Sequence, residues 1–98
     1  MDSQRIMEGL LRKGFIQKNR HHKIYKYISR TGIESKISTM IGHGSKHDIS
    51  HDIISKMADQ CFLTKREFLN LIKCPLSRDE YETKMVASGK IVLNKNIA

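Results

Sequence analysis

The sequence predicts a small α+β domain, a two-layer α-β-β-β-α sandwich with extra helices at its C-terminal end. Three observations predict it. A helical stripe opens the chain at Ile6, Met7, Leu10 and Leu11. Next come a β-branched and aromatic run, Ile24-Tyr25-Lys26-Tyr27-Ile28, and an alternating one, Ile33 to Ile41. After these, helical spacing returns at Ile49, Ile53, Ile54, Met57, Ala58 and Cys61. One helical layer against one antiparallel sheet buries both sets of apolar faces.

The first helix is expected over Ser3 to Lys13. Arg12 and Lys13 suit its negative C-terminal end, and Gly14 lets the backbone leave it. Phe15 to Asn19 reads as a short strand, followed by a basic corner, Asn19-Arg20-His21-His22. Lys23 to Ser29 is the second strand, and Arg30-Thr31-Gly32 is a hairpin-type connection. On the third strand Ile33, Ser35, Ile37, Thr39 and Ile41 share one face, which predicts that this side is buried. Gly42 to His47 is a loop by its glycines. Asp48 is expected to cap a helix from Ile49 to about Gln60. Thr64…Glu67 and Ser77…Glu80 each fit the capping-box pattern at the start of a further helix. Phe68, Leu69, Leu71 and Ile72 form the apolar side of one, with Tyr81, Met85 and Val86 inward on the other. Residues 1–88 are read as a single domain, and 89–98 as a flexible tail.

The 98 residues carry 18 Lys plus Arg against 10 Asp plus Glu, a formal net charge of +8. Such an excess on a small surface attracts polyanions: RNA, DNA or anionic lipid. A basic amphipathic helix with bulky anchors is not evident, so a membrane partner is not expected. With no signal-peptide pattern and no long apolar run, the expected compartment is the cytoplasm. Cys61 and Cys74 are too few for a disulfide framework, and both read as reduced packing residues.

Gly-rich phosphate loops, G-x-S-x-G, His-Glu-x-x-His and Cys-x-x-Cys are all missing. What remains is histidine surrounded by cations. Imidazole changes charge near neutral pH, so it can carry the proton when an RNA 2′-hydroxyl attacks the adjacent phosphate. Neighbouring Lys and Arg would hold the phosphate, without a metal or other cofactor. The corner Asn19-Arg20-His21-His22-Lys23 fits this chemistry best. On strand geometry His21 and His22 point to opposite faces, so one of them serves. His43, His47 and His51 recur every four residues, but no Cys/His set completes a zinc site and no metal is expected. Tyr25 and Tyr27 either stack bases on an open sheet face or pack beneath the helices.

Four features resemble the HicA family of toxins. They are Leu11-Arg12-Lys13-Gly14-Phe15, His22-Lys23-Ile24-Tyr25, the His43-Gly44 loop after a strand, and Ile49…Ile54…Met57…Cys61-Phe62-Leu63-Thr64…Glu67-Phe68. The resemblance spans roughly residues 4 to 72. It implies a fold similar to the double-stranded RNA-binding domain and an endoribonuclease that cleaves mRNA. It also implies a HicB-type antitoxin partner that covers the histidine. Carried over, His22 is the catalytic residue. Arg20, His21, Lys23 and Lys26 are RNA contacts by proximity. Where the family places glycine before the histidine, this chain has Asn19-Arg20-His21. A non-catalytic RNA-binding module on the same fold is therefore the alternative expectation. Residues 77–98 lie beyond the compact toxin, with roles in capping the sheet, in a homodimer, or in place of partner contacts all open.

Overall fold

A computed structural model describes residues 2–19, 23–41 and 48–92. The order is α1 (Ser3–Arg12), β1 (Phe15–Asn19), β2 (Lys23–Ile28), β3 (Glu34–Ile41), α2 (His51–Gln60), α3 (Lys65–Lys73) and α4 (Arg78–Ala87). The protein is a small α+β structure, with a three-stranded antiparallel sheet in the order β1-β2-β3. No helix among the described residues is long and apolar enough to cross a membrane.

Alternation decides which sheet face is covered. Phe15, Tyr25, Tyr27, Ser35, Ile37, Thr39 and Ile41 are buried, as period-two geometry requires of residues sharing a face. α1 packs on β1 and α2 on β3, while α3 packs against both of these helices. Ser35 and Thr39 are polar yet buried. Ser35 Oγ donates to the Tyr27 carbonyl at 2.7 Å, and Thr39 Oγ1 donates to Gln60 Oε1 at 2.6 Å. Each hydroxyl thus replaces its lost water, as buried polar groups must. Between Lys26 and Ile28 the β2–β3 register shifts, so that Lys26 pairs with Ser38 and Ile28 with Glu34.

The helix starts follow local chemistry. Thr64 with Glu67, and Ser77 with Glu80, form reciprocal capping boxes. At α2 the expected cap is corrected: Ser50, not Asp48, accepts from the Ile53 amide, and the helix begins at His51. Asp48 instead forms an isolated bridge with Asp2, joining the approach to α2 to the start of α1. Cys61 is in the core, where burial pushes its thiol up to about 12. Cys74 is exposed, contrary to the packing role expected of it. It adopts the left-handed cap of α3 with φ 99°, its N–H donating to the Asn70 carbonyl. The half-buried Leu76 packs on the core nearby.

Gly9 lies where α1 crosses α3. A Cβ there would stand 2.8 Å from Ile72 Cγ2 and 2.9 Å from the Ile72 carbonyl oxygen. The carbonyl cannot move without shifting α3. Gly9→Ala therefore destabilises the fold by about 1–2 kcal/mol, despite the better helix propensity of alanine. Urea unfolding measures this, and a midpoint equal to or above wild type refutes it.

α4 is part of the core. The Tyr81 ring meets Tyr27 at 5.3 Å and Phe15 at 6.0 Å, and its hydroxyl donates to the Cys61 carbonyl at 2.9 Å. Tyr81 and Met85 face inward as expected, but Val86 is exposed and Glu82 is buried instead. Arg78 explains the rotation: its guanidinium reaches the Ile28 carbonyl at 2.9 Å, so the 78/82 side of the helix turns toward the sheet. Ile91, beyond Gly89, is also buried in the core cluster.

Candidate functional site

The β1–β2 ladder runs from Phe15–Tyr27 to Asn19–Lys23. Residues 20–22 are therefore the whole connection between the two strands. Arg20, His21 and His22 lie outside the described residues, as do His43 and His47. The described part of the candidate site consists of the strands entering and leaving this connection.

Lys23 is the first residue of β2, exposed, and paired on one side with Asn19 and on the other with Ile41. Lys26 lies three residues on. Three is odd, so the two lysines project from opposite faces of the strand. Lys23 shares its face with the inward Tyr25, whereas Lys26 belongs to the helix-free face. The structure therefore does not bring these two expected RNA contacts onto one surface. Sequence proximity alone had grouped them.

On the helix-free face Lys18 and Lys26 flank a single carboxylate. Lys18 Nζ is 2.6 Å from Glu34 Oε1, and Lys26 Nζ is 4.0 Å from Glu34 Oε2. The hydrogen bond from Lys18, then the charges of both lysines, hold the Glu34 carboxyl below its ordinary range. These three groups sum to one positive charge, and Lys36 stands exposed on the same face. Apolar residues interleave with them: Ile16 is 41% and Met40 44% exposed, with Ile24 and Ile28 half-buried.

Base stacking on the β2 tyrosines is ruled out. Tyr25 and Tyr27 have no exposed surface and face the helices. Tyr25 Oη donates to Gln17 Oε1 at 2.8 Å, and burial raises its phenol. Tyr27 Oη donates to Glu82 Oε1 at 2.6 Å. Burial first, then that bond, pushes the Tyr27 phenol up to about 12. Both tyrosines are structural.

Among the described residues no group of three His, Cys, Asp or Glu is placed to hold a metal. His51 opens α2 with Nδ1 2.6 Å from Lys65 Nζ, a hydrogen-bond distance.

Sequence reasoning missed the buried Glu82 and Lys13. Glu82 Oε1 accepts from Tyr27 Oη and the Arg30 amide, and Glu82 Oε2 accepts from Arg30 Nε. Lys13 Nζ donates to the carbonyls of Leu71 at 2.6 Å and Leu76 at 2.8 Å. Neither residue signals burial in sequence, because charged side chains are almost never buried unless paired. No protein-family model, curated protein or solved structure matches the chain.

Proposed function

We propose that the protein binds RNA and cleaves it without a metal, His22 carrying the proton, in the manner of a HicA-type endoribonuclease. The observation that carries this reading is the β1–β2 register. It closes on Asn19–Lys23 and leaves Arg20-His21-His22 as the connection, beside strands bearing Lys18, Lys23 and Lys26. The sequence of that connection supplies two imidazoles and a guanidinium, in a chain of net charge +8. The α-β-β-β-α order, with helices on one side of the sheet, supports the likeness to the double-stranded RNA-binding domain.

In this mechanism imidazole takes the proton of a ribose 2′-hydroxyl as its oxygen attacks the adjacent phosphorus. The bond to the 5′-oxygen breaks, that oxygen gains a proton, and a 2′,3′-cyclic phosphate remains. Cations near the connection offset charge developing on the phosphate oxygens. A HicB-type antitoxin covering the connection would silence the enzyme, and mRNA in the cytoplasm would be its target.

Two incubations test the reaction class. Purified protein should cleave a defined mRNA equally well with and without chelator. It should leave the all-2′-O-methyl version of that RNA intact. Cleavage that stops in chelator, or that proceeds on the 2′-O-methyl strand, overturns the mechanism. The absence of glycine at Asn19-Arg20-His21 favours a second reading, a non-catalytic RNA-binding module, since glycine allows close backbone approach to a substrate. Binding without cleavage in both incubations selects it.

A further inference from the structure

We infer that the groove between α1 and the C-terminal end of α3 is a second RNA contact, one that grips the phosphodiester backbone. The inference rests on the RNA-binding half of the function proposed above and not on cleavage. The groove has a volume of about 440 Å³ and is lined by Arg5, Glu8, Arg12, Ile72, Lys73 and Cys74.

Most cations near the sheet and α4 already have partners. Lys18 and Lys26 flank Glu34, Arg30 pairs with Asp79 and Glu82, and Lys84 pairs with Glu67. By contrast, no carboxylate among the described residues lies within 4.0 Å of a charged nitrogen of Arg5, Arg12 or Lys73, yet all three converge on one groove. Helix electrostatics account for part of this: Arg12 and Lys73 stand in the last turns of their helices, where cations are favourable. They do not account for Arg5, which sits in the first turn of α1 and opposes the dipole.

Arg5 and Arg12 are two helical turns apart, about 10.5 Å along α1. That spacing suits an extended polyanion better than a single small anion. The guanidinium fork matches phosphate oxygens. An acidic protein partner fits less well, because Ile72 is the only large apolar residue in the lining and protein interfaces need apolar anchors. Glu8 is the groove's single carboxylate, and it would repel the same backbone.

Anisotropy titration of a 2′-O-methyl single strand, which the proposed reaction cannot cleave, reads binding alone. Arg5→Gln/Arg12→Gln should weaken binding about tenfold at low salt and flatten the slope of log K against log salt by about 1.4, two phosphate contacts' worth. Glu8→Gln should tighten binding about two- to threefold, a gain that loss of folding cannot mimic. Lys56→Gln/Arg66→Gln removes the same net charge from exposed positions outside the groove and should change the slope by less than half as much. Equal effects from the two double variants, or no gain with Glu8→Gln, overturn the groove assignment while leaving RNA binding intact. Wild type that fails to bind the strand, or that prefers a DNA duplex, overturns both this inference and the RNA reading. Wild type that binds but does not cleave ordinary RNA overturns only the catalytic proposal.

Discussion

A His22→Ala protein should cleave RNA about 10²–10⁴-fold more slowly than wild type, the range over which a positioned acid or base acts. Its affinity for an uncleavable strand should stay within about threefold of wild type, because phosphate contacts by lysine and arginine supply most of the binding. A urea midpoint close to that of wild type should accompany the loss, so that lost cleavage is not lost folding; a large fall in the midpoint would leave the rate uninterpretable and is checked by His22→Gln. A His21→Ala protein is the companion measurement. The two imidazoles are adjacent in sequence, and the pair of variants tells which of them carries the proton. Loss of cleavage with His21→Ala and not His22→Ala would move the role by one residue. Full cleavage by both variants would end the histidine mechanism.

Glu82→Ala should destabilise the fold by about 3 kcal/mol, the scale for stranding the partners of a buried charge. The Glu82 side chain is 1% exposed and accepts from Tyr27 Oη at 2.6 Å, the Arg30 amide at 2.9 Å and Arg30 Nε at 3.1 Å. Alanine strands the buried Tyr27 hydroxyl and takes away the acceptor of the Arg30 amide and guanidinium at the junction of α4 with the β2–β3 hairpin. Glu82→Gln keeps one acceptor oxygen but turns an NH₂ toward one of the donors, so its midpoint in urea should fall between the other two. A loss below about 1 kcal/mol for alanine would show that the network contributes little.

The same network sets a pH dependence. Burial raises the Glu82 carboxyl, but the bonds from Tyr27, the Arg30 amide and the Arg30 guanidinium outweigh it and hold the group below its ordinary range. The folded state thus binds this proton less readily than the unfolded chain. The stabilisation is fully present above the ordinary carboxylate range and is lost as pH falls through the folded value. Glu67, Glu80 and Glu34 are lowered as well, so acid alone does not isolate Glu82. The difference between wild type and Glu82→Gln does. It should shrink steadily on acidification, and a constant difference would contradict the assignment.

Much of the framework is legible residue by residue. The buried face of β3 follows from Ser35, Ile37, Thr39 and Ile41, because alternation needs no partner to be recognised. Both capping boxes follow from a hydroxyl and a carboxylate three residues apart. The cap of α2 does not, since Asp48 and Ser50 are both competent and the bridge from Asp48 to Asp2 decides between them. The direction of Tyr25 and Tyr27 is equally hidden. A tyrosine suits an open face or a covered one, and only the fold shows Tyr25 and Tyr27 covered, with Gln17 accepting from one hydroxyl and the buried Glu82 from the other. For the candidate site, the sequence supplies the residue types at the β1–β2 connection, and the sheet separates Lys23 from Lys26.

By itself, then, the chain determined its strands, the capped starts of α3 and α4, its cationic character and the place of its paired histidines in the sequence. These depend on periodicity and on groups a few residues apart. Tertiary structure decided that α4 belongs to the core, that Glu82 and Lys13 are buried, and that Arg5, Arg12 and Lys73 meet in one groove. The reason is physical: a charge can be buried, or gathered with others, only where distant segments supply its partners or its neighbours. That arrangement exists only once the helices have packed.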